Sequence, residues 1–123
     1  MTKEFKILVC GGRDYDNYEK VKEILDDAVV KLYHPIKNKI TIIHGGARGA
    51  DSLADRYSEE HDIDKEVYEA DWENEGRSAG PKRNQRMLDE GKPDCVVAFP
   101  GGRGTQHMVN IARKKGVPVY EIK

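Results

Sequence analysis

The stretch "FKILVCGGRDYDNYEKVKEILDDAVVKL", residues 5–32, reads as one unit of a repeating architecture. A short apolar strand, "FKILVC" (5–10), stops at Gly11 and Gly12. Beyond the loop "GGRDY", Tyr18, Val21, Leu25, Ala28, Val29 and Leu32 recur at helical spacing. The order is therefore strand, glycine loop, helix. It returns in "ITIIHGG" (40–46), followed by a helix expected over 50–60 in which Ala50, Leu53, Ala54 and Tyr57 share a face. A weaker strand, "KEVYEA" (65–70), leads through the polar stretch "DWENEGRSAG" to a helix expected over 81–90. "CVVAF" (95–99) is the fourth strand, 104–115 the fourth helix, and "VPVYEI" (117–122) the last strand. Such alternation predicts an α/β fold: a Rossmann-like three-layer sandwich whose five mainly parallel strands run in the order 3-2-1-4-5 with helices on both faces.

Composition narrows the function. The 123 residues are expected to form a single domain, large enough to bury roughly two-thirds of its unfolded surface. Cys10 and Cys95 have no metal-ligand spacing and form no disulfide framework, which points to buried free thiols and a cytoplasmic setting. No signal peptide or membrane-spanning run is read from the sequence. The 21 Lys and Arg against 22 Asp and Glu leave a net charge of -1, which disfavours nucleic acid as a partner. The histidines offer no i, i+4 pair for a helix-borne metal site; His34 and His61 fall near helix ends, where exposure is expected, and His107 lies one turn into the fourth helix. Neither a metal nor a resident cofactor is expected.

In open parallel sheets ligands sit at the carboxyl ends of the strands. The glycines gather there: Gly11 and Gly12; Gly45, Gly46 and Gly49; Gly101, Gly102 and Gly104 in "AFPGGRGT" (98–105). Bare backbone lets N–H groups approach an anion, and each following helix adds its positive end. Each loop taken alone also reads as ordinary turn chemistry, and neither the Walker pattern nor the GxGxxG fingerprint is present. Arginine placement favours an anionic ligand, because Arg13, Arg48, Arg77, Arg83, Arg86 and Arg103 all lie in these loops or in the helix start after the third strand. Guanidinium groups suit two-pronged contact with phosphate.

The motifs "GGRDY", "HGGARGADSLA", "ADW", "AGPKRNQRM" and "AFPGGRGTQHMV", in this order, resemble the YspA-like branch of the SLOG superfamily, over residues 7–119. The resemblance implies a Rossmann-like fold related to the Lonely Guy cytokinin-activating enzymes and to the DNA-processing protein DprA. It also implies a nucleotide or nucleotide-derived ligand, either sensed or cleaved at an N-glycosidic bond, and a homo-oligomer of two or more copies. One departure bears on cleavage: where the Lonely Guy enzymes carry PGGxGTxxE, the count from Pro100 reaches Met108, and a thioether can neither take a proton nor stabilise an oxocarbenium-like centre. Asp14, Asp51, Asp71, Glu73 or Glu75 could supply an acid instead, although Asp51 equally suits the helix dipole and Asp14 a turn.

The expected site is a strand-end cleft in which the N–H groups of Gly11, Gly12, Gly45, Gly46, Gly101, Gly102 and Gly104 hold phosphates. Arg13, Arg48, Arg83 and Arg103 neutralise them, and Thr105 donates a hydroxyl. Pro100 and Asp71 are also expected among the ligand-binding residues, as are Lys82 and Arg83, either of which answers to the arginine of the enzymes' second motif. Three further residues keep two readings each: His44 as ligand donor or as a strand-end histidine bonded to backbone, Trp72 as a stacking platform or as packing, Asn84 as a ligand amide or a helix-surface residue. A positive φ is expected at Gly102. No catalytic residue is assigned. The first functional expectation is a binding or sensing module for a nucleotide-like, ADP-ribose-like small molecule. The second is hydrolysis of nucleoside monophosphates, and the third is single-stranded DNA binding.

Overall fold

The computed structural model describes residues 3–32 and 38–123; His34 lies outside them. Five strands, β1 (Lys3–Cys10), β2 (Asn38–His44), β3 (Asp64–Val67), β4 (Cys95–Ala98) and β5 (Val119–Glu121), form one sheet in the order β3-β2-β1-β4-β5. Every pairing is parallel, with Ile7 opposite Ile42 on one side of β1 and Val9 opposite Val97 on the other. The helices are α1 (Tyr18–Leu32), α2 (Ala50–Glu60), the short α3 (Trp72–Glu75), α4 (Ala79–Asp89) and α5 (Arg103–Lys115), with a 3-10 turn at Gly76–Ser78. This is the α/β sandwich read from the strand and helix periods.

Side-chain alternation along the strands divides the core into two. Ile7, Val9, Ile42, Val97 and Phe99 pack with Val21 and Leu25 of α1 and Ala54 and Tyr57 of α2. Leu8, Cys10, Ile43 and Val96 pack with Met87 and Leu88 of α4 and Met108, Val109 and Ala112 of α5. The chain winds outward from β1 along one face, then crosses back to β4 and covers the other. The reversal leaves a crevice above the carboxyl ends of β1 and β4, where the crossovers part company.

Two expectations about local structure change. The polar stretch after β3 is helical, because Asp71 caps it by accepting from the Asn74 N–H at 3.2 Å and from Asn74 Nδ2 at 2.9 Å. Helix α4 starts at Ala79 rather than Pro81. Proline is tolerated as its third residue because first-turn N–H groups have no intrahelical acceptor.

The loops after β1, β2 and β4 meet backbone to backbone. The Gly12 N–H donates to the Pro100 carbonyl at 2.9 Å, while its carbonyl accepts from Ala50 N at 3.1 Å and Tyr15 N at 3.2 Å. Gly49 has φ 79° and ψ -131°, and a Cβ there would overlap the Gly12 carbonyl oxygen and lie 2.6 Å from the Arg13 carbonyl oxygen. Only glycine fits, on both conformational and steric grounds. Gly49→Ala is expected to cost about 2 kcal/mol or more of unfolding free energy, read as a lower urea midpoint. An unchanged midpoint would show that the loops have room to part.

Cys10 and Cys95 sit on adjacent strands but belong to opposite core clusters, so they remain free thiols on opposite faces of the sheet. Burial pushes the Cys10 thiol up to about 12 and the Cys95 thiol up to about 11. Only thiolate reacts with a disulfide reagent. At pH 8 a chromogenic disulfide is therefore expected to label neither cysteine in the folded protein and both after denaturation.

Candidate functional site

The crevice above β1 and β4 is an open cleft of about 590 Å³. Four arginines line it, Arg13, Arg77, Arg83 and Arg103, against a single carboxylate, Asp51. Among the described residues Arg13, Arg77 and Arg103 form no ion pair within 4.0 Å. A near-neutral chain thus carries a concentrated positive site, and concave walls of low dielectric focus its field.

Arg83 is the most firmly held. Its Nη1 donates to the Gly45 carbonyl at 2.6 Å and its Nε to Asn84 Oδ1 at 3.0 Å. A Cβ on Gly45 would lie 2.8 Å from the guanidinium carbon, so this glycine is bare to seat an arginine. Burial pulls the Arg83 pKa down; Asp51 opposes this, while Arg13 and Arg86 add to it. The cleft therefore holds a partly desolvated cation among like charges, an arrangement that an anion would relieve.

Asn84, 5% exposed, carries the network onward. Because its Oδ1 is taken by Arg83, its Nδ2 donates both to the Gly104 carbonyl and to His107 Nδ1, each at 3.1 Å. The neutral His107 ring then bears its proton on Nε2, as a donor. One buried amide so fixes α4, the start of α5, an arginine and a histidine together.

The first turn of α5 supplies the other wall. Gly102, Arg103, Gly104 and Thr105 line the cleft, and no acceptor among the described residues takes their backbone N–H groups. Gly102 has φ -99°, not the positive φ expected from sequence, and a Cβ on either Gly102 or Gly104 would meet nothing within 4 Å. Opposite stands Trp72, 48% exposed, with the Arg13 guanidinium carbon 5.2 Å from its ring centroid. Gly80 makes room for the indole: a Cβ there would lie 3.1 Å from Trp72 Cη2.

Of the candidate site residues read from sequence, the cleft brings together Gly11, Arg13, Trp72, Arg77, Arg83, Asn84, Gly102, Arg103, Gly104 and Thr105, with Asp51, one of the acids offered for cleavage. The others lie outside its lining. Gly12, Gly45 and Gly46 spend their N–H groups within the protein, on the Pro100 carbonyl, on Asp51 Oδ2 at 3.1 Å and on His44 Nδ1 at 3.0 Å. His44, 2% exposed, accepts the backbone N–H of Gly46 at Nδ1, which matches the strand-end reading, and bonds Asp55 Oδ1 through Nε2 at 2.8 Å. Arg48 is exposed beside Asp14 at 3.4 Å. Asp71 caps α3, and Lys82 pairs with Glu75 at 3.3 Å; both line a neighbouring groove. Pro100 and Gly101 pack against the β1 loop, where a Cβ on Gly101 would lie 2.6 Å from Gly12 N. Met108 is wholly buried in the core, so the position matching the enzymes' glutamate does not reach the cleft.

The lining residues given no part in the site by the sequence are Cys10, Ala47, Gly80, Pro81, Met87 and His107. Two of these sets carry a readable signal. His107 lies one helical turn beyond Arg103, and Gly80, Arg83, Asn84 and Met87 follow i, i+3, i+4 spacing along one face of α4.

Comparison with known proteins agrees with this frame. A profile of the YspA, cpYpsA-related SLOG family matches residues 5–74. The Gene 61 protein of Mycobacterium phage D29 is 37% identical over 121 residues, covering 93% of each chain. Among solved structures, UDP-GlcNAc 2-epimerase from Neisseria meningitidis, bound to UDP-GlcNAc, superposes with a TM-score of 0.55 at 17% identity. That match covers 98% of this chain but 32% of the epimerase, and it speaks to the fold alone. Together with the loop motifs, the profile match and the relative aligned over 93% of both chains show that the chain belongs to the YspA, cpYpsA-related SLOG family.

Proposed function

We propose that the cleft binds a nucleotide or nucleotide-derived anion and that the protein acts as a binding or sensing module. The observation that carries this reading is the convergence of Arg13, Arg77, Arg83 and Arg103 on a cleft with one carboxylate and the unpaired first-turn N–H groups of α5. Charge-assisted hydrogen bonds to a phosphate satisfy both sets of donors at once. The half-exposed Trp72 ring supplies a flat apolar surface for a base. Glycoside cleavage has less support, because hydrolysis by acid–base catalysis ordinarily uses a pair of carboxylates and Met108 is buried in the core. Single-stranded DNA fits less well than a small ligand, since the arginines gather in one concavity rather than along a groove. Among the described residues no helix is long and apolar enough to cross a membrane.

Mono- and dinucleotides, NAD and ADP-ribose derivatives form the panel for a thermal-shift test. A ligand at a hundredfold excess over its dissociation constant is expected to stabilise the fold by about 2.7 kcal/mol, a rise of several degrees in midpoint. A panel that leaves the midpoint unmoved defeats the reading. Chromatography of the same mixtures is expected to show no turnover to free base.

Variants separate site from scaffold. Among the described residues the Arg103 side chain has no hydrogen-bond or ion-pair partner, so Arg103→Ala is expected to weaken calorimetric binding by roughly 1.5–3 kcal/mol with the melting midpoint of the free protein unchanged. Arg83→Ala should lower both, because it also removes the partner of the Gly45 carbonyl and of Asn84. Gly102→Val should fold normally, given its negative φ and open surroundings, and lose binding. Were Gly102→Val to bind like the wild type, the α5 turn would not be the phosphate seat.

A further inference from the structure

Asp51 is the one carboxylate in a cleft otherwise furnished with donors, and its two oxygens differ. Oδ2 accepts both the Gly45 N–H at 3.1 Å and the Ala47 N–H at 3.2 Å, which braces the loop between β2 and α2. Oδ1 has no hydrogen-bond partner among the described residues, although the residue is only 7% exposed. No buried side-chain oxygen is left unsatisfied among those residues, so the small exposed part of Asp51, a residue that lines the cleft, includes Oδ1. A carboxylate oxygen in a confined site calls for a donor to replace water. None of the surrounding protein groups supplies one within reach.

Resting on the proposed nucleotide reading, we propose that Asp51 Oδ1 accepts a hydrogen bond from a sugar hydroxyl of the ligand and thereby selects ribosyl phosphates over their deoxy counterparts and over simple anions. A negative charge here opposes anion binding, so it is tolerable only if the ligand brings a donor next to its phosphate. The hydroxyls of a phosphorylated pentose lie a few bonds from the phosphate, and Asp51 shares the cleft with the arginines that would hold that phosphate and acts electrostatically on Arg83. A base amino group is the other donor a nucleotide offers. Trp72 gives the base a separate wall, and ribose 5-phosphate, which has no base, tells the two apart.

The diagnostic variant is Asp51→Asn. Its amide oxygen can still accept from Gly45 and Ala47, while the second position changes from an acceptor to a donor. Burial raises the Asp51 pKa while the Gly45 and Ala47 N–H groups, His44 and Arg83 oppose the rise, and calorimetry at pH 8 would compare AMP, 2′-deoxy-AMP, 3′-deoxy-AMP, ribose 5-phosphate and sulfate, an anion with no proton to give. The wild type is expected to prefer AMP over at least one deoxy analogue by about ten- to hundredfold, the range for a hydrogen bond to a charged group. Asp51→Asn should erase that preference and weaken ribose 5-phosphate, yet bind sulfate as well as or better than the wild type, with its melting midpoint retained.

Equal affinity for AMP and both deoxy analogues in the wild type would overturn the proposal while leaving the anion site standing. So would an Asp51→Asn protein that keeps the preference, or one that loses sulfate and ribose 5-phosphate together, which would make Asp51 a loop brace only. A weakening of AMP by Asp51→Asn that spares ribose 5-phosphate would transfer the contact to the base and overturn the sugar assignment. Absence of binding by every probe would remove the nucleotide reading as well.

Discussion

Both polar atoms of the Gly12 peptide unit are spoken for by other loops. Its N–H holds the loop after β4 through Pro100, and its carbonyl holds the start of α2 through Ala50 and the β1 loop itself through Tyr15. Because each partner belongs to a different strand-to-helix connection, this one residue sets the spacing between the beginnings of α2 and α5. Gly49 and Gly101 carry no side chain because the backbones approach so closely. Spread these loops apart and the donors of α5, the Arg83 guanidinium and the Asp51 carboxylate would no longer address one volume.

Much of this frame was legible in the chain. Apolar runs ending in glycine, each followed by a 3.6-residue period, located the strands and helices, and the bounds of α2 match the expected 50–60. What the sequence could not disclose was the use to which each glycine is put. A glycine bare for a ligand and a glycine bare for another backbone look identical in one dimension. Gly12, Gly45 and Gly46 turned out to donate inward. The same limit governs His44: its neighbours in sequence permitted two roles, and only the proximity of Asp55 and the Gly46 N–H picks out the strand-end role. Asp51 was visible as an acid near a helix start, but the unequal surroundings of its two oxygens are a tertiary property.

The electrostatics repeat this lesson at larger scale. A net charge of -1 describes the whole chain and not any part of it. Most acids are spent on the outside in short-range pairs such as Lys22 with Asp26, Arg56 with Glu60 and Lys115 with Asp89. Such exposed pairs contribute little stability each. Their effect on the field is larger, because pairing on the helices leaves Arg13, Arg77 and Arg103 as cations with no ion-pair partner among the described residues, gathered on one cleft.

Gly102 and Gly104 differ in kind from Gly11, Gly49 and Gly101. The first two border open space at negative or unrestricted φ, whereas a Cβ on any of the other three would collide with neighbouring atoms. The rim of the cleft is thereby mechanically uncoupled from the frame that carries it. Side chains introduced at 102 and 104 would re-cut the cleft wall without meeting neighbouring atoms, so the shape of the cleft can change at two positions while the frame beneath it stays the same. A fold built in this way can vary the shape of its cleft while every strand stays in register.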